Sequence, residues 1–224
     1  LELAGTGTFT PGTSDYELGY FRTSGRITQS ANTTFNNKSS YWINTGTYTA
    51  GEGSTVKFTG TDQELTTIGG SGASITLYNI TTNNQGIKRF NTNLTINGTM
   101  TIAQGAEVKD EVEDTTPSVY TFGNDAEVVV SGKWTLKGSP SLGNVELLGS
   151  GEEGERWVLR INAGGVVNMD YVAIRDCELI LAGGVLNAKN VGYHVYSYGN
   201  LSPSWGPYDP EPISGPIVRP DLPI

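Results

Sequence analysis

The sequence predicts an all-β solenoid of short stacked coils, on three observations. The first is a repeat: AGGVVNMDYV (Ala163 to Val172) returns as AGGVLNAKNV (Ala182 to Val191), with Ala163, Gly164, Asn168 and Val172 moving by one offset to Ala182, Gly183, Asn187 and Val191. A fixed short period is the mark of stacked units. The second is what fills the period. Gly-Gly pairs punctuate short apolar-alternating runs, where a helical repeat needs an uninterrupted amphipathic run of about ten residues or more. The third is composition: 30 Gly with abundant Thr, Asn and Ser suit strands and turns and leave no long helical pattern.

Within the repeat, VAIRDCELIL (Val172 to Leu181) alternates Val172 and Ile174 with Ala173 and Arg175, then Cys177, Leu179 and Leu181 with Glu178 and Ile180. Two short strands each send one face inward, and the chain bends near Arg175-Asp176. Stacking at the repeat offset predicts columns of like residues. Leu147, Val166 and Val185 make one apolar column; Leu148, Val167 and Leu186 make its neighbour. Asn168 falls under Asn187, so their amides can bond along the axis as a ladder serving a bend. Asp170 falls beside Lys189 as an opposite-charge pair. Arg156, Arg175 and His194 would stack like charges, which places that column toward solvent or an acidic partner. These residues resemble the right-handed parallel β-helix, the architecture of pectate lyases, phage tailspikes and many bacterial surface proteins; the likeness is one of repeat form.

A net charge of −9 without a basic run argues against nucleic acid and anionic membrane surfaces as partners. No apolar run is long enough to insert in a bilayer, and neither an initiating Met nor a charged-then-apolar leader is present, so the chain is expected to be a mature or truncated one. Cys177 stands alone in an alternating apolar run and is expected to be a buried, inert thiol. Asn-X-Ser/Thr sequons at Asn32, Asn37, Asn79, Asn93, Asn97 and Asn200 are compatible with secretion.

In chain order, residues 1–30 carry short aromatic and β-branched runs and are expected to form first coils or a cap, with Tyr16, Tyr20 and Phe21 near an open end of the core. From Phe35 the alternation sharpens: V-K-F, I-T-L-Y, L-T-I and M-T-I set apolar residues inward and Thr or Lys outward, and Gly-Thr and Asn-Gly steps turn the chain. Outward rows of Thr suit a parallel stack. Trp42, Asn44, Gly46, Thr47, Tyr48, Ala50 and Gly51, then Val56, Phe58 and Gly60, then Tyr78 to Thr81, then Leu94 to Ile102 follow one another in an order that resembles the adhesin-like and haemagglutinin-like β-helix surface proteins of secreted bacterial origin. The resemblance covers roughly residues 35–102, with β-helix coils again at 144–200. It implies an extracellular, cell-surface location and a structural or adhesive role.

Residues 107–117, EVKDEVEDTTP, interrupt the order as a solvated acidic loop. Its carboxylates Asp110, Glu111, Glu113 and Asp114 are calcium candidates, being hard oxygen ligands close together. VVVSGKWTL then echoes LTINGTMTI with Gly132 in the place of Gly98. That step is not a whole number of Ala163-to-Ala182 offsets, so coil length varies, the acidic insertion absorbing the difference. A second acidic turn spans Gly149 to Glu155. From residue 203 the composition changes to SPSWGPYDPEPISGPIVRPDLPI, which holds seven of the ten Pro and cannot form ladder strands. The chain thus divides into one solenoid domain, 1–202, and an extended Pro-rich arm, 203–224. Trp205, Tyr208, Ile213, Ile217, Val218, Leu222 and Ile224 are more apolar than a free linker needs and mark the arm as an assembly segment.

For function, a polysaccharide lyase or hydrolase would draw on Asp170, Arg175, Asp176, Glu178 and Lys189, but such chemistry needs carboxylates that converge on calcium or oppose each other across a bond. Asp170 pairs with Lys189, and Arg175-Asp176 is an outer bend, so no catalytic residue is named. One His and one Cys cannot make a zinc site, no nucleophile elbow or phosphate loop occurs, and no cofactor is expected. The sequence therefore points to a secreted structural or adhesive solenoid that stacks end to end. A glycan or cell-surface partner is compatible with it, and a polysaccharide-binding or polysaccharide-degrading β-helix is the rival.

Overall fold

Four-residue strands of alternating burial have one apolar face each, and winding them into a column buries that face. In a computed structural model that describes residues 2–12, 19–68, 73–83, 86–111, 117–151 and 155–194, the chain is an all-β parallel solenoid, with no helix among those residues. Seven consecutive coils between Tyr20 and Ala182 visit three faces in turn, preceded by Glu2–Leu3 and Thr6–Phe9 and followed by Val185–His194. The first coil is typical: Tyr20–Thr23 lies on the first face, Arg26–Gln29 on the second and Thr34–Asn37 on the third. In the last coils the first two faces merge. Val166–Arg175 pairs through its first half with Lys133–Lys137 and through its second with Val145–Leu148, bending at Tyr171, whose φ is +52°. Asn190, also at +52°, repeats the bend one coil on. The expected bend after Arg175 is there as well, at Asp176 with φ +55°.

Register fixes coil length, and coil length varies. Tyr20 lies beside Tyr41, Glu107 beside Lys133, Lys133 beside Val166 and Val166 beside Val185. Of these steps the last is the shortest and the one from Lys133 to Val166 the longest. In the short step the register read from the repeat holds: Asn168 pairs with Asn187, Asp170 with Lys189 and Val167 with Leu186. Carried one coil back it fails. Leu147 stacks on Ile174, and Val166 stacks on Lys133, because the coil between them is longer by two corner loops. The expected buried column Leu147, Val166 and Val185 does not form: Val166 faces outward and Val185 is 46% exposed. Leu148 likewise leaves the Val167 and Leu186 column, where Trp134 takes its place. Arg175 pairs with His194 as expected, but Arg156 lies beside the third-face strand Trp157–Asn162, outside their file. Accordingly Val166→Asp should move stability by less than about 1 kcal/mol, whereas Val167→Asp, which buries an unpaired charge, should cost several kcal/mol. Chemical denaturation of the two variants checks the difference.

The Gly98 and Gly132 echo has a different basis from coil length. Leu94–Ile96 and Thr99–Ile102 flank the corner between second and third faces, whereas Glu127–Val130 and Lys133–Lys137 flank the corner between third and first. The same strand-glycine-strand text serves two different corners, so its spacing is not a number of coils.

The core is a continuous file of large side chains. Phe21, Trp42, Leu65 and Phe90 stack in register on the first face, and rings also meet across the core, Trp42 with Tyr48 at 4.9 Å and Phe122 with Trp157 at 4.1 Å between centroids. Of the aromatics expected near the amino end, Phe21 is fully buried, Tyr20 points outward, and Tyr16 lies outside the described residues. The motif Trp42 to Gly51 acquires physical meaning. Trp42, Asn44, Tyr48 and Ala50 all point inward, and a Cβ on Gly46 would lie 2.1 Å from the Gly25 carbonyl oxygen of the coil below.

Wide corners are served by inward polar side chains, since a buried carbonyl without a donor costs about 1–3 kcal/mol. Gln63 Nε2 donates to the Asn37 and Ser39 carbonyl oxygens, each at 2.9 Å. One coil later Lys88 occupies the same file and its Nζ donates to the Gly60 oxygen at 2.7 Å and the Thr61 oxygen at 3.2 Å. Burial lowers this ammonium to about 8 against the opposing pull of Asp62. In the next two coils Val108 and then Trp134 fill the file, and the corner before Glu107 closes itself, Ala106 N–H donating to the Ala103 oxygen at 3.0 Å.

The acidic stretch corrects the expected loop. Glu107–Glu111 is a strand of the first face. Val108 and Asp110 point into the core, while Glu107, Lys109 and Glu111 point out and pair, Lys109 Nζ lying 3.7 Å from Glu107 and 3.8 Å from Glu111. The charges read as a loop are thus an alternating strand whose like charges are separated by a lysine. Glu113, Asp114 and the whole arm 203–224 lie outside the described residues.

Candidate functional site: a trough on the first face

Outward residues two apart on a strand form parallel files along the axis, with a channel between them whose floor is backbone. Over the last three strands of the first face this channel opens into a shallow trough of about 410 Å³. One wall is Thr135, Asn168 and Asn187; the other is Lys137, Asp170 and Lys189, each set in register across three coils. Leu136, Met169 and Ala188 send their side chains inward and leave their backbone as the floor.

The first wall is uncharged. Asn187 Nδ2 donates to Asn168 Oδ1 at 2.9 Å, so the expected ladder forms, though within strands and not at a bend. That bond uses one amide hydrogen of Asn187 and one oxygen of Asn168, leaving donor and acceptor capacity on both. The second wall alternates in sign, and its Asp170 Oδ1 accepts from Asn190 Nδ2 at 2.9 Å. The sequence expectation placed Asp170, Lys189, Asn168 and Asn187 together correctly. It missed Thr135 and Lys137, which precede their partners Asn168 and Asp170 by the longest of the coils; the signal was the K-W-T-L-K alternation, in which Lys133, Thr135 and Lys137 share one outward parity.

The residues a lyase or hydrolase would need are dispersed. Asp170 and Lys189 stand on the first face, Arg175 is outward on the second, Glu178 is outward on the third, and Asp176 is buried at the corner between. The calcium candidates are split too. Asp110 is buried and bonded to Tyr120, whereas Glu111, the next residue, faces solvent beside Lys109. Successive residues of a strand point to opposite sides, so these two carboxylates do not share an ion. Cys177 is buried as expected, and burial pushes its thiol up to about 12, which makes it a poor nucleophile.

The other faces carry plainer files. On the second, Thr8, Thr28, Thr49, Thr76, Thr95 and Thr121 stack in one outward file across six coils. Nearer the amino end of the first face, Tyr20 and Tyr41 stack outside the column, ring centroids 5.2 Å apart and Tyr20 61% exposed. No family model, curated protein or solved structure matches the chain.

Proposed function

We propose that the chain is an extracellular structural or adhesive rod of the cell surface. The observation that carries this is the dispersal just described: the polar groups are spread as regular files along the column, and the residues that could do chemistry lie on separate faces. Files suit contact with an extended surface, whereas catalysis needs convergence at a point.

End-to-end stacking belongs to the same reading. A terminal coil offers unpaired strand edges, and at the last described coil Tyr193 occupies an inward position yet is 47% exposed. Leu179 and Leu181 are only partly buried there. The first coils of a second copy would cover these groups, with residues 203–224 laid across the joint, a heterologous contact that propagates. Sedimentation and electron microscopy of the full chain and of a chain ending at residue 202 test it. Concentration-dependent rods that weaken markedly on truncation are expected; a monomer in both forms at high concentration refutes the stacking. Recovery of the protein from a cell-surface fraction is expected, and confinement to the cell interior refutes the extracellular role.

A further inference from the structure

We propose that the trough on the first face binds a linear acidic polysaccharide with one carboxylate on every second sugar. This rests on the adhesive reading and gives it a ligand class. The trough runs along the axis and is one channel wide, so it fits a single extended chain. One wall offers amide donors and acceptors from Asn168 and Asn187, the groups that pair with rows of sugar hydroxyls. The other offers Lys137 and Lys189 in one file with a coil between them, a separation of about 10 Å at the usual strand spacing.

Asp170 supplies the selectivity. It stands in that same file between the two lysines, so a carboxylate brought to the middle position meets a like charge, while carboxylates at the two ends meet opposite ones. A polymer charged on every ring is disfavoured, an uncharged one gains nothing from the lysines, and an alternating one matches + − + with its own spacing. The Pro-rich arm is the competing occupant. Its Trp205, Ile213 and Ile217 need apolar pockets deep enough to take a side chain, whereas the trough is shallow and its apolar lining residues Leu136, Met169, Leu186 and Ala188 turn their side chains inward beneath the two polar walls.

The test is binding of the full-length protein to immobilised hyaluronan, with a carboxylate on alternate sugars, against polygalacturonate, charged on every ring, and dextran, uncharged. Hyaluronan should bind at least tenfold more tightly than either, with an affinity that falls as salt rises. Lys137→Ala with Lys189→Ala should abolish the preference, Asp170→Asn should raise polygalacturonate binding toward that of hyaluronan, and Lys57→Ala on the third face should change neither. The melting temperatures of the variants separate lost binding from lost folding. Equal binding of all three polymers, no binding of hyaluronan, or a double lysine variant that folds and still prefers hyaluronan overturns the proposal. So does a chain ending at residue 202 that binds tenfold more tightly than the full one, because the arm would then be the occupant. Loss of hyaluronan binding with unchanged retention at the cell surface would overturn the ligand class alone and leave the adhesive rod standing.

Discussion

Replacing Trp42 by Ala is expected to cost about 3–5 kcal/mol, the range for a large aromatic removed from a packed core. Trp42 is fully buried, its ring lies 5.2 Å from Phe21 and 4.9 Å from Tyr48, and its Nε1 donates to Thr23 Oγ1 at 3.2 Å. Neighbouring coils therefore lose contacts together. Because each coil touches mainly its neighbours, the damage should stay local. Amide hydrogen exchange is expected to show lost protection from about Tyr20 to Thr67, with the strands after Val119 still protected. Uniform loss along the whole chain would mean that the column unfolds as one cooperative body.

The second large effect is of pH, and it centres on Asp110. Burial pushes this carboxyl up from 3.8 to about 6, although hydrogen bonds from Tyr120 and Ser118 pull it down. The geometry explains why the neutral form fits. Tyr120 has one hydroxyl proton and two acceptors, Asp110 Oδ2 at 2.8 Å and the Phe90 carbonyl oxygen at 3.1 Å. A protonated Asp110 can donate to the tyrosine oxygen and free its proton for Phe90; an ionised one takes that proton and the carbonyl loses it. Leu136 flanks Asp110 in its file, and the charged Lys109, Glu111 and Lys137 on adjoining positions point out of the sheet.

Since the folded pKa lies above the unfolded one, the folded state holds the extra proton between about pH 4 and 6. This contribution to stability is full below about 4 and is lost as pH rises through about 6, amounting to about 3 kcal/mol by neutrality. Asp110→Asn keeps both bonds at every pH. It should therefore be more stable than the parent by about 2–3 kcal/mol at pH 7 and nearly equal to it at pH 4, measured by urea denaturation. An Asn variant that is less stable at pH 7 would show that the carboxylate is the form the core prefers.

Alternation made the fold legible. Val172 and Ile174 against Ala173 and Arg175, or Val56 and Phe58 against Thr55 and Lys57, state which face is buried, because period two has only two phases. The repeat beginning at Ala163 and Ala182 gave correct neighbours where two coils share one length, as with Asn168 and Asn187. It failed at Leu147 because corner loops shift the register without disturbing the alternation inside any strand, and nothing in VELL says which strand lies above it. Buried polar residues were hidden by their chemistry. Asp110 sits in a run of carboxylates and was expected outside, although it shares its parity with Val108; Lys88 and Gln63 likewise resemble surface residues until the carbonyls they serve are in place. A third of the trough's walls escaped notice for the same reason as Leu147, since Thr135 and Lys137 come into line only when the long coil from Lys133 to Val166 has been wound.

The confinement of length variation to the corners has a consequence for the gene. A segment that starts and stops at the same angular position, such as the stretch from Val166 to the residue before Val185, is a closed unit of winding. Its duplication or loss leaves every remaining strand on its own face and changes the rod by one strand spacing of about 4.8 Å. An excision that starts and stops at different angular positions would instead turn the downstream strands onto wrong faces. The length of this column is thus adjustable by recombination in whole coils, and the like segments AGGVVN and AGGVLN mark two equivalent points of the winding between which such a join would fall.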